Sequence, residues 1–314
     1  MMDALLIAGG VLGAVLLYYG ADFLVSGGVA LAERCRVPKL LIGLTLVAFG
    51  TSAPELVVSI DAALKNSGDI AAGNVVGSNI CNIALILGVS ACIAPLGVSK
   101  FLFKVDMPIL AFATLLFAGI EFFFKGVSRW SAALLLMVFI VYLTVRIAIS
   151  PGEFVEAAES EKDEKPKSVW LALLLTAAGL AALVGGAKLF VNGAVVLARL
   201  AGISEAVIAL TIVALGTSLP ELATSAVAAW KRETEIAVGN VVGSNLFNIL
   251  LIMSIAPLVR PFATPGILTA DLAAMCALVG VLYLMMTRKR QLGRFDGVIL
   301  LLLYAGYVTV LAMR

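Results

Sequence analysis

Glu55 and Glu221 are carboxylates inside apolar stretches, and each follows a proline directly: Gly50-Thr51-Ser52-Ala53-Pro54-Glu55 and Gly216-Thr217-Ser218-Leu219-Pro220-Glu221. A charged side chain at mid-bilayer depth costs about 2.5–3.5 kcal/mol or more. Proline has no N–H to offer the carbonyl four residues back, so the carbonyls of Gly50 and Gly216 lose their helical partner. On a helix Thr51 and Ser52 stand four and three residues before Glu55, and their hydroxyls share its side of the broken turn. Further on, Asn74, Ser78 and Asn82 recur every four residues, and Asn240, Ser244 and Asn248 repeat the stripe. Together these segments supply two carboxylates, amides, hydroxyls and unpaired carbonyls. Hard oxygens in that number suit Ca2+, which takes six to eight, and also Na+.

Such groups need elements to hold them, and the composition says which. The 314 residues are 62% hydrophobic and 13% charged, with a mean hydropathy of +1.10. A soluble domain is roughly 45–50% apolar and about 25% charged. The chain therefore reads as an all-α polytopic membrane protein. A net charge of +2 is too small to point to nucleic acid. The first apolar run has no basic residues before it and reads as a retained helix, not a cleaved signal. His is absent and the four cysteines are scattered, which argues against soft-metal or imidazole chemistry.

Ten transmembrane helices are expected, near 5–31, 40–64, 70–94, 107–124, 130–149, 169–198, 206–230, 236–256, 267–287 and 298–312. The polar stretch 150–168 between the fifth and sixth is the one disorder-like segment. It divides the chain into 1–149 and 169–314. A shift of 166 residues superimposes the halves: 12 of 20 positions match from Leu40 to Ser59, and 10 of 14 from Asp69 to Asn82. The repeated motifs span 43–82 and 209–248. Packing alone would preserve hydrophobic class, whereas here the polar, Gly and Pro positions recur. Five spans per copy is odd, so the second copy enters the membrane upside down. Two inverted five-helix repeats with interrupted helices in matching places are a secondary-transporter pattern.

Basic residues give the orientation. With the N-terminus outside, inner loops hold fifteen Lys and Arg and outer loops plus the C-terminus six. Both termini are then extracellular and the 150–168 linker is cytoplasmic, in a cell membrane. Gly73/Gly77 and Gly239/Gly243 read as helix-packing pairs and not as ligands. Ser59 and Ser225 read as hydroxyls bonded back to their own helices. Asp22 and Lys188 occupy equivalent positions with opposite charge, and a structural or gating role fits them better than ion ligation.

These motifs resemble the α-repeats of Na+/Ca2+ exchangers in the Ca2+/cation antiporter superfamily, prokaryotic type. The resemblance implies an antiporter, not an enzyme, with no cofactor, whose partners are Ca2+, Na+ and the lipid bilayer and which can work as a monomer. It implies that helices 2, 3, 7 and 8 surround the ions while helices 1 and 6 slide across them. It implies Glu55 and Glu221 as shared carboxylate ligands, and Thr51, Thr217, Ala48 and Ala214 as backbone-carbonyl ligands. Ser52, Ser78, Ser218 and Ser244 match hydroxyl ligands and Asn82 a central amide. Asn248 stands where K+-dependent relatives carry aspartate, which resembles the K+-independent branch. Other readings stay open: an exchanger using H+, K+ or another divalent ion, and, from a different class, a passive cation channel.

Overall fold

The computed structural model describes residues 2–149, 168–202, 208, 212 and 214–313. The expected linker falls almost wholly outside them, as do the first residues of the seventh expected span and of the second motif. Among the described residues the chain is mainly helical, with four two-residue strands. We number the helices α1 (Met2–Cys35), α2 (Lys39–Thr51), α3 (Ala53–Leu64), α4 (Gly68–Ile93), α5 (Leu102–Phe124), α6 (Arg129–Ile149), α7 (Val169–Leu200), α8 (Ala214–Gly216), α9 (Leu219–Trp230), α10 (Thr234–Val259), α11 (Thr269–Lys289) and α12 (Arg294–Ala312). Eight are long and apolar enough to cross a membrane, and α2 with α3, bent by 45°, make a ninth span. The seventh expected span begins outside the described residues, and its described remainder is α8 and α9, the latter of 12 residues.

Pro54 and Pro220 lie at the start of α3 and α9, where a missing N–H costs nothing. Ser52 and Ser218 are the joints, with φ of −83° and −87°. The break thus falls two residues before each proline, as the motif requires.

α4 and α10 are mostly buried at the centre, while α1 and α7 are largely exposed at the edge. α1 and α7 run antiparallel along each other. Gly13 lies on the backbone of Phe190 and Gly186, Gly20 on Leu183, and Gly27 on Thr176. A Cβ on Gly13 would stand 2.4 Å from the Phe190 nitrogen, so only glycine admits this approach. Such small-residue contacts bring helices together where lipid supplies no hydrophobic drive. Outward faces carry Leu, Val and Phe, and Trp130, Trp170 and Trp230 are exposed at helix ends, the interfacial positions that tryptophan favours.

Two short antiparallel ladders tie the halves: Leu96–Gly97 with Gln291–Leu292, and Gly126–Val127 with Phe262–Ala263. Each follows the same pattern seen from opposite halves. The equivalence extends to the outer helices with a shift of 165. Lys125 and Arg290 end α5 and α11 in the left-handed region, at φ 49° and 47°. Tyr142 donates to Asp106 at 3.0 Å, as Tyr307 does to Asp271 at 3.3 Å. One expectation is corrected: Arg146, counted among loop cations, is buried in α6 and paired with Asp106 at 3.1 Å. An unpaired cation there would be too costly, so it belongs to the core and leaves the charge comparison.

Candidate functional site

Each broken turn presents its glutamate to the opposite half. Ser218 Oγ donates to Glu55 Oε1 at 3.3 Å, and Ser52 Oγ donates to Glu221 Oε1 at 3.0 Å. Both carboxylates are 1% exposed. The second oxygen of each, Oε2, has no hydrogen-bond partner among the described residues. Buried polar atoms are paired almost without exception, so two orphaned carboxylate oxygens at equivalent positions call for a positive ligand.

The neighbouring stripe contributes more such atoms. Oδ1 of Asn82, both polar atoms of Asn248, the Ser244 hydroxyl and the Thr217 hydroxyl are buried without partners among the described residues. Asn82 and Asn248 each lie in a π-helical turn, Asn82–Ile86 and Phe247–Ile252. Such turns shift the hydrogen-bond ladder by one residue and are frequent at functional sites. Ser78 Oγ lies 3.3 Å from Ser218 Oγ. Thr51 Oγ1 lies 3.1 and 3.3 Å from the carbonyl oxygens of Val47 and Ala48. Ala214 starts α8, beside Leu215.

Two pairs of residues complete the frame. Asn74 donates to the Glu55 carbonyl at 3.3 Å and to Ser59 Oγ at 3.1 Å; Asn240 donates to the Glu221 carbonyl at 3.4 Å and to Ser225 Oγ at 2.9 Å. Ser59 and Ser225 thus bond across to the next helix, contrary to the reading that ties them to their own. The asparagine four residues earlier in each stripe is the signal that could have found them. Asn245, absent from the expected ligands, accepts from Asn82 Nδ2 at 3.2 Å and so couples the two stripes.

The halves are alike in sequence but differ in state. Thr51 Oγ1 bonds Asn240 Oδ1 at 3.1 Å, while its equivalent, Thr217, makes no such bond to Asn74. Gly239 and Gly243 pack as read: a Cβ there would stand 2.8 and 2.5 Å from the carbonyls of Leu40 and Leu44. Gly73 and Gly77 do not: a Cβ on Gly77 would meet nothing within 4 Å and one on Gly73 only the Ile267 side chain at 3.9 Å, and both line a cavity of about 250 Å³ with Leu215 and Tyr304. One glycine pair is packed against a helix and its mate borders a cavity. α7 crosses both broken turns, since a Cβ on Gly50 would stand 2.5 Å from Leu180 and one on Gly216 2.9 Å from Val191.

Chemically, the arrangement can hold cations of hard character. Among the described residues no group of three or more His, Cys, Asp or Glu forms a metal cluster. The two carboxylates lie among neutral oxygen donors.

Residues 5–148 and 171–313 match the family described as sodium/calcium exchanger protein. The chain is 37% identical over 308 residues to the putative antiporter CaxA of Alkalimonas amylolytica, covering 94% of this chain and 95% of that one. It is 32% identical over 337 residues to the sodium/calcium exchanger MaX1 of Methanosarcina acetivorans, covering 96% of each. A structure of the sodium-calcium exchanger NCX_Mj soaked with Na+ and Sr2+ superimposes with a TM-score of 0.83 at 34% identity, covering 98% of this chain and 99% of that one.

Proposed function

The chain belongs to the sodium/calcium exchanger family, and from that premise we propose that it extrudes Ca2+ in exchange for Na+ by alternating access. The observation that carries this reading is the reciprocal pair of buried glutamates, each bonded by the other half's serine and each keeping one oxygen unpartnered. One Ca2+ neutralises two carboxylates; two or three Na+ do so with at most a small excess. Ca2+ and Na+ therefore compete for Glu55 and Glu221, and only loaded states cross.

In this reading the Ser52, Ser78, Ser218 and Ser244 hydroxyls, the Asn82 and Asn248 amides, and the carbonyls of Ala48, Thr51, Ala214 and Thr217 complete the coordination. The orphaned atoms of Asn82, Asn248, Ser244 and Thr217 support it. Asn74 and Asn240 hold the glutamate backbones in place. Ten spans in two inverted repeats account for the antiparallel α1 and α7 and for the two mirrored ladders. The open cavity beside Gly77 and the closed contact at Gly243 are then the two gates, caught in opposite positions.

Calorimetric titration of the purified protein with Ca2+ tests the shared site. Added Na+ is expected to weaken the apparent Ca2+ affinity, and a Ca2+ affinity indifferent to Na+ rules out common carboxylates.

Orientation rests on the basic residues, fourteen against six once Arg146 is set aside. The open cavity then faces outward. In a background without the four native cysteines, a cysteine at position 160 is expected to react with an impermeant thiol reagent only from the cytoplasmic side. One added after Arg314 is expected to react only from outside. Reaction of both from one face contradicts the odd number of spans, five, expected between the two positions.

A further inference from the structure

We infer that Asp22 and Lys231 form a one-sided latch that holds the exchanger in the state described, because the equivalent positions on the opposite face carry two lysines. Lys231 caps the C-terminal end of α9, and its ammonium pairs with Asp22 Oδ1 on α1. The same ammonium donates to Ser26 Oγ at 3.0 Å and reaches the Asp22 carbonyl at 3.5 Å. Three oxygens of α1 thus hold one residue at the end of the broken helix that carries Glu221. α1 is the helix whose glycine face rides on α7, so the clasp ties that pair to the helix that carries Glu221.

The 166-residue shift identifies the mates. Lys65 caps α3 as Lys231 caps α9, and Lys188 on α7 replaces Asp22. Lys188 is exposed, and Lys65 is occupied within its own helix by Asp61 at 2.7 Å. The position equivalent to Asp61 is Val227, so no acid on α9 competes with Asp22 for Lys231. A second charged contact has the same one-sidedness: Lys39 pairs with Glu233 at 3.0 Å, and the mate of Glu233 is Ser67.

The inference rests on alternating access as proposed above. In an inverted repeat, the state of opposite exposure arises when each half takes the other's conformation. Lys188 then approaches Lys65, and like charges meet where opposite charges met before. The latched state gains an attraction and its alternative a repulsion. The state with α9 clasped to α1, closed at Asn240 and open at Gly77, is the resting one. A ligand approaching the closed face meets a binding-competent state that is only a minor fraction, which raises its apparent dissociation constant by that fraction.

The test is Na+-driven Ca2+ flux in vesicles of defined orientation, with half-saturating Ca2+ measured from each face. For Asp22→Asn, the ratio of the KM on the Lys231 face to the KM on the opposite face is expected to fall by about two- to fivefold, the range of a partly exposed ion pair. Lys188→Asp, which gives α7 an acid opposite Lys65, is expected to lower the ratio in the same direction. The exchanged pair Asp22→Lys with Lys231→Asp is expected to restore it. An unchanged ratio, both KM values rising together, or lost flux that the exchange does not rescue overturns the latch. Absence of Na+-driven Ca2+ flux in the unaltered protein fails the exchanger reading itself, and is distinct from all of these.

Discussion

Glu55→Gln and Glu221→Gln are each expected to reduce Na+-driven Ca2+ flux by more than a hundredfold while the protein still folds and inserts. The substitution keeps the volume and the serine hydrogen bond at Oε1, since an amide oxygen accepts from Ser218 or Ser52 as the carboxylate does. What it removes is one of two negative charges around a divalent ion in a buried site. Removing one partner from a buried ionic interaction costs about 3–5 kcal/mol, and each 1.4 kcal/mol is tenfold in affinity. Flux is measured with radiocalcium in vesicles, with expression and monodispersity as the fold control. Flux close to wild type in either variant removes that glutamate from the site.

Asn248→Asp is expected to make transport depend on a second cation. Asn248 is fully buried, and neither of its polar atoms has a partner among the described residues. A carboxylate there finds no donor waiting, and it joins two others that already balance one Ca2+. Like charges so placed do not all stay ionised without compensation, so a proton or a K+ must accompany Ca2+. In K+-free medium, with a large inert cation in its place, the variant is expected to lose about a hundredfold in flux, consistent with about 3 kcal/mol for an uncompensated buried charge. Acidification or K+ is expected to restore it. The wild type, with a neutral amide, is expected to exchange Ca2+ for Na+ equally well with and without K+. A wild type that stops when K+ is withdrawn contradicts the K+-independent reading.

The broken turns and their buried glutamates are legible in the sequence because they violate the rules of their surroundings. A proline and a carboxylate inside an apolar span have no bland use, and their duplication locates both broken turns within a residue. The break at Ser52 and Ser218 and the stripe of Asn and Ser follow from spacing. The π-helical turns at Asn82 and Asn248 do not, because no residue type marks a ladder shifted by one. Ser59 and Ser225 were misread because a lone hydroxyl in a helix has a local acceptor by default. Only the arrival of Asn74 and Asn240 from the next helix redirects it.

The deepest difference lies where two near-identical segments take unlike environments. Gly73-x-x-x-Gly77 and Gly239-x-x-x-Gly243 are the same motif, yet one faces a cavity and the other a helix. Thr51 and Thr217 are the same residue in the same motif, yet one is bonded to asparagine and the other is not. A repeat written twice specifies two conformations and does not say which copy holds which. The asymmetry that decides between them sits in poorly matched positions such as Asp22 against Lys188 and Asp61 against Val227.

The central claim is coupling: Ca2+ crosses only in exchange for Na+ at a shared pair of glutamates. Purified protein in sealed vesicles, loaded with Na+ and diluted into Na+-free medium containing radiocalcium, measures it directly. The account predicts Ca2+ accumulation that collapses when internal Na+ is replaced by a large inert cation, even though the Ca2+ gradient is unchanged. Ca2+ flowing down its own gradient with no Na+ on the opposite side would contradict the account and mark the protein as a passive cation pathway.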